Sequence, residues 1–78
     1  MEIKEIAERF AEYVFETFES WAEDKRPKRY SKDLSCIIAD WCGEWCKNRG
    51  YQLTDNEIKV VEDAAEKQLN EYWLDEVE

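Results

Sequence analysis

The residues that break a regular backbone are almost missing from this chain. It has one proline, Pro27, and two glycines, Gly43 and Gly50, in 78 residues. A linker-rich or repeat protein carries more of both, and more length. Pro27 and Gly50 fall between stretches of helical periodicity, and no stretch alternates as a strand does. In the first stretch Ile3, Ala7, Phe10, Val14, Phe18 and Trp21 recur at three- and four-residue steps and form one apolar face. Pro27 ends it, because the residue before a proline leaves the α region. Ser31 is a good N-cap for the second, with Asp33 in its first turn and Leu34, Ile37, Ile38, Trp41 and Trp45 on its face. Cys42 and Cys46 flank that face, and Gly50 reads as the residue that closes the helix. Thr54-Asp55-Asn56-Glu57 spells a capping box, with Leu53 and Ile58 in the places of a hydrophobic staple. Val61, Ala65, Leu69, Tyr72 and Trp73 continue the third face, with fraying expected near Asp75. The expected helices span about 2–24, 32–49 and 55–75. Short connections favour antiparallel neighbours, so the expected fold is all-α, a small antiparallel three-helix bundle in one domain, 1–78.

So short a chain holds one small core. Its hydrophobic share of 44% and its eleven aromatic residues are too rich for a disordered acidic tail. Phe15, Trp73 and Leu74 fall at the edge of the predicted faces or off them, which suggests a dimer or a partner surface. No apolar run is long enough to span a membrane, and Met1-Glu2-Ile3-Lys4-Glu5 lacks a signal-peptide pattern. Three cysteines do not close a disulfide framework, so the expected setting is a reducing cytoplasm with free thiols.

The formal charge is −9, and its placement says more than its size. Residues 1–24 hold eight acids and two bases, residues 25–32 five bases and no acid, and residues 55–78 nine acids and two bases. Glu5, Glu8, Glu12, Glu16, Glu19 and Glu23 are spaced by three or four residues throughout. On a helix they occupy an arc of roughly 80° opposite the apolar face, over about 27 Å. Lys4 and Arg9 can pair with Glu8 and Glu5, but no base follows between Phe10 and Asp24. Each like-charge pair at this spacing destabilises a helix by about 0.2–0.5 kcal/mol, so the row opposes the helix that carries it. Acids at the end of the helix also oppose its dipole. Such a row has carboxylates at a spacing comparable to the phosphates of a nucleic-acid strand, and suits a Lys/Arg-lined groove on another protein. A solvated face of an acidic protein is the bland alternative. Glu62 and Glu66 of the third helix join the row as expected partner-binding residues. The basic island, Lys25-Arg26-Pro27-Lys28-Arg29, reads mainly as structural, compensating a helix end and neighbouring acids; phosphate binding and nuclear import are the other readings.

Trp41-Cys42-Gly43-Glu44-Trp45-Cys46 has the look of a motif. Cys42 and Cys46 share one side of a helix and Cys36 faces away from them. Without a fourth Cys or His ligand no zinc site is expected, and no cofactor is implied. Buried cysteines beside core tryptophans are the plain reading. A mid-helix glycine costs about 1 kcal/mol against alanine, so Gly43, on the side of Cys36, is a candidate contact for a second copy of the chain.

The chain lacks histidine, and no phosphate loop, metalloprotease helix, calcium loop or nucleophile elbow is present, so an enzyme is not expected. A helix-turn-helix reader of DNA needs a basic recognition helix, whereas the third helix is acidic. In size, charge and helicity alone the chain resembles small acidic proteins of phages and mobile elements, several of which block restriction, CRISPR or transcription machinery. The resemblance has no motif behind it and carries over no residue. The expectation is a non-catalytic inhibitor of that anti-restriction or anti-CRISPR type, a nucleic-acid mimic that binds a basic protein surface and neither nucleic acid nor membrane, as a monomer or a homodimer. The alternatives are a homodimeric structural or regulatory domain and a dimer responsive to metal or redox through Cys36, Cys42 and Cys46.

Overall fold

The second and third helices begin where a neighbouring side chain satisfies their open backbone groups. A computed structural model describes residues 2–28 and 30–73, and of Tyr72 and Trp73 the backbone alone. Helix α1 runs Ile3–Glu19, α2 Lys32–Asn48 and α3 Asp55–Gln68. The Ser31 hydroxyl accepts the Leu34 N–H and caps α2. At Thr54 both bonds of the capping box are made. Gly50, at φ 81°, ends α2 in a left-handed conformation that costs glycine little. The Gly50 N–H donates to the Lys47 carbonyl and the Tyr51 N–H to that of Cys46, the paired bonds of a Schellman motif.

Two boundaries differ from the sequence reading. Helix α1 stops at Glu19, not near residue 24. Ser20 caps it, the Ser20 hydroxyl donates to the Thr17 carbonyl at 2.6 Å, and Ala22 is already extended. Side-chain bonds of this kind offer the backbone an alternative to the helix ladder. Glu23–Lys25 then forms a 3-10 turn, so Glu23 has left the helix. Helix α3 widens into a π-turn over Leu69–Trp73. There Asn70 is buried, and its Oδ1 accepts the N–H of Tyr30, a residue held at φ 62°. The expected core roles of the Tyr72 and Trp73 side chains, the off-face placement of Leu74 and the fraying at Asp75 lie outside the described residues.

Contacts across the bundle fix the helix directions. Phe10 meets Trp45 and Phe18 meets Trp41, so α1 and α2 are antiparallel. Ser35 meets Glu66 and the Cys42 thiol faces the Ile58 carbonyl, so α2 and α3 are antiparallel too. Helix α3 packs closely on both others, whereas the backbones of α1 and α2 scarcely approach. Side-chain size explains the asymmetry. Ala7 and Ala11 of α1 and Ala65 of α3 are buried and admit close approach. Between α1 and α2 stand the rings of Phe10, Tyr13, Phe18, Trp41 and Trp45. Helix separation follows the side chains at the contact. Cys42 and Cys46, placed on the flank of the apolar face and read as buried beside the core tryptophans, are fully buried and belong to the core with Phe10, Val14, Phe18, Leu34, Ile38, Val61 and Leu69. No helix among the described residues is long and apolar enough to cross a membrane.

Candidate protein-binding face

The early end of α1 divides the acidic row. Glu5, Glu8, Glu12, Glu16 and Glu19 stay on the helix, all exposed, over a length of about 21 Å. Among the described residues none of these five carboxylates enters an ion pair or a side-chain hydrogen bond. Lys4 and Arg9 therefore make no ion pair with Glu8 or Glu5. The last turn of α1 holds no base. Glu23 is exposed as well, but it stands on the 3-10 turn and no longer continues the helical row.

Glu62 and Glu66 do not join that row. The Glu66 carboxylate accepts a hydrogen bond from the Ser35 hydroxyl of α2 at 2.8 Å. Glu62 is half-buried, and desolvation pushes its carboxyl above the usual range, with Lys59 pulling the other way. Both acids lie on the α2 side of α3. The α1 side of α3 is a different one: there Ala64, Lys67, Gln68 and Glu71 form an open groove with Lys4, Ala7 and Glu8.

The basic island takes a structural role at one residue. Arg26 donates from Nε to the Trp21 carbonyl at 3.2 Å and from Nη2 to the Glu19 carbonyl at 3.1 Å. It thus supplies donors to the open end of α1 and to the turn beyond it. A cation there also suits the negative end of the helix dipole. Its partners are main-chain carbonyls and not the acids of the row. Lys25 and Lys28 border a groove that also contains Asp24 and Asp33. Arg29 lies outside the described residues.

Cys36 is exposed, while Cys42 and Cys46 are buried. Burial, reinforced by the neighbouring Cys46, pushes the Cys42 thiol up to about 12. Burial raises Cys46 as well. Among the described residues no three Cys, Asp or Glu side chains converge as metal ligands would. Gly43 is half-buried, and a Cβ added there meets nothing within 4 Å. Packing within the chain therefore does not require a glycine at this position.

One feature of this surface was missed in the sequence. Tyr13, off the expected apolar face, is 39% exposed and lies over the α1–α2 seam. Its ring centroid is 6.2 Å from Trp41 and 6.2 Å from Trp45. Arg49 places its guanidinium 5.4 Å from the centroid of the Trp45 ring. The Trp45 indole N–H is buried and finds no acceptor among the described residues. The four-residue step from Trp41 to Trp45 hinted at a ring cluster. Only the approach of α1 could show that Tyr13 completes it.

Comparison with protein families, curated proteins and solved structures finds no match.

Proposed function

We propose that the chain is a non-catalytic, cytoplasmic protein-binding module whose α1 face occupies a basic, nucleic-acid-binding surface of another protein. The observation that carries this reading is the row Glu5, Glu8, Glu12, Glu16 and Glu19: five exposed carboxylates on one side of one helix, none held by a cation among the described residues. Their mutual repulsion works against α1, and a basic partner relieves it. Glu23, exposed on the 3-10 turn beyond the helix end, stands off the row. Glu62 and Glu66 are left out, because both lie on the α2 side of α3, where Glu66 accepts the Ser35 hydroxyl and Glu62 is half-buried. An inhibitor of the anti-restriction or anti-CRISPR type is the specific form of this reading.

The test is a Glu12→Gln/Glu16→Gln/Glu19→Gln variant in affinity capture from a host lysate at low and high salt. The unaltered chain is expected to retain basic nucleic-acid-binding proteins at low salt and release them at high salt. The variant should retain few of them while melting at a higher temperature, by up to about 1 kcal/mol of stability, since like-charge pairs are removed. Capture that is unchanged by the triple substitution would sink the proposal.

A second reading is favoured by Gly43, whose lack of a side chain the monomer does not use. A homodimer joined along the Cys36–Gly43 side of α2 would use it. Light scattering at two concentrations, repeated on Gly43→Trp, separates the two readings: a dimer that the substitution dissolves supports the second.

A further inference from the structure

We infer that the seam between α1 and α2 is the place where the partner's arginine side chains dock, with Tyr13 and Trp41 receiving the guanidinium and Glu16 and Glu44 neutralising it. The inference rests on the reading of α1 as a partner-binding face and adds the residue type that the face selects.

Tyr13 and Trp41 stand ring to ring at 6.2 Å and both reach the surface. Glu16 follows Tyr13 by three residues and Glu44 follows Trp41 by three, and both are exposed. Residues three apart are neighbours on a helix surface. Each ring therefore has a carboxylate one turn along its own helix, on the solvent side. A π-face beside a carboxylate is complementary to a planar cation. Guanidinium stacks on rings and pairs with carboxylates through a fixed fork of donors, whereas an ammonium is a compact, strongly hydrated point charge. The same ring cluster already holds one guanidinium, that of Arg49 against Trp45. Glu16 also belongs to the acidic row, so an arginine seated on the seam lies at the row's edge.

The experiment titrates the protein with an oligo-arginine peptide and with an oligo-lysine peptide of equal length, at low salt, by calorimetry and tryptophan fluorescence. Both peptides should bind, and arginine tighter by about two- to fivefold per seated side chain. Tyr13→Leu, which keeps an apolar cover over Trp45, should bring the arginine affinity down to that of lysine. Tyr13→Phe should keep the preference. Glu44→Gln, at an exposed position outside the acidic row, should weaken arginine more than lysine. An arginine preference that survives Tyr13→Leu, or no preference at all while both peptides bind, overturns the seam and leaves the acidic row standing. Binding of neither peptide overturns both. A concentration-dependent dimer that Tyr13→Leu dissolves assigns the seam to a second copy of the chain and overturns arginine docking.

Discussion

Burial pushes the Cys42 thiol from an ordinary 9.0 up to about 12, with the adjacent Cys46 adding to the effect. The thiolate is the reactive species, so native protein at pH 8 should alkylate at exposed Cys36 alone, and at all three thiols in denaturant. A mass shift of more than one adduct in the native state contradicts this. The folded pKa lies above the unfolded one. The stabilisation from keeping Cys42 neutral is therefore complete below about 9 and is lost as pH climbs towards 12. Urea midpoints should fall across that window, and less steeply for Cys42→Ala than for the parent chain. Glu62 has the same sign for a different consequence. Its folded pKa is raised by desolvation, so its charged form at neutral pH works against the fold. Glu62→Gln should raise the melting temperature at pH 7, and the gain should vanish below the ordinary carboxylate pKa of about 4.3.

The three helices differ in how they hold their ends. Helix α3 opens with reciprocal bonds, Thr54 N–H to Glu57 at 2.9 Å and Glu57 N–H to the Thr54 hydroxyl at 3.2 Å. Thr54→Ala should cost about 1 kcal/mol in chemical denaturation. Helix α1 has no side-chain cap at Glu2 and depends at its other end on Arg26, seven residues beyond Glu19. This contrast decides what could be read in advance. Capping boxes and Schellman endings are made by residues within a few positions of each other, and both were legible in the sequence. The stop after Glu19 was not. Pro27 was the visible terminator, while the helix end is held by a local Ser20 hydroxyl bond and by Arg26 guanidinium bonds that form only once the chain has turned. The π-turn at Leu69–Trp73 was hidden for the same reason: its Asn70 bonds to Tyr30, 40 residues away.

At the scale of the molecule, a body of about 35 × 20 × 19 Å is held by one core shared among three helices. Phe10 lies fully buried at the centre of the ring layer, 5.3 Å from Trp45. Phe10→Ala should cost about 3–5 kcal/mol, a large fraction of the roughly 5–15 kcal/mol that holds a domain. A circular-dichroism melt should show the variant largely unfolded near physiological temperature, and a fall of only a few degrees contradicts this. Small buried alanines let α1 and α3 approach closely, and rings hold α1 and α2 apart. The α1–α2 seam is set by that difference, because the rings of Tyr13, Trp41 and Trp45 stand between the two helices.

The sequence alone determined what depends on neighbours along the chain: the number of helices, two of their starts, the end of α2, most of the core, and the one-sided row of glutamates. Periodicity and caps involve residues about three to five positions apart, so they are written locally. The tertiary structure decided which neighbour each face meets. It gave Arg26 to the carbonyls at the end of α1, turned Glu62 and Glu66 towards α2, moved Glu23 off the row, and set Tyr13 over two tryptophans of another helix. Those outcomes depend on the distance and direction at which remote segments approach, and side-chain volumes across the core fix both.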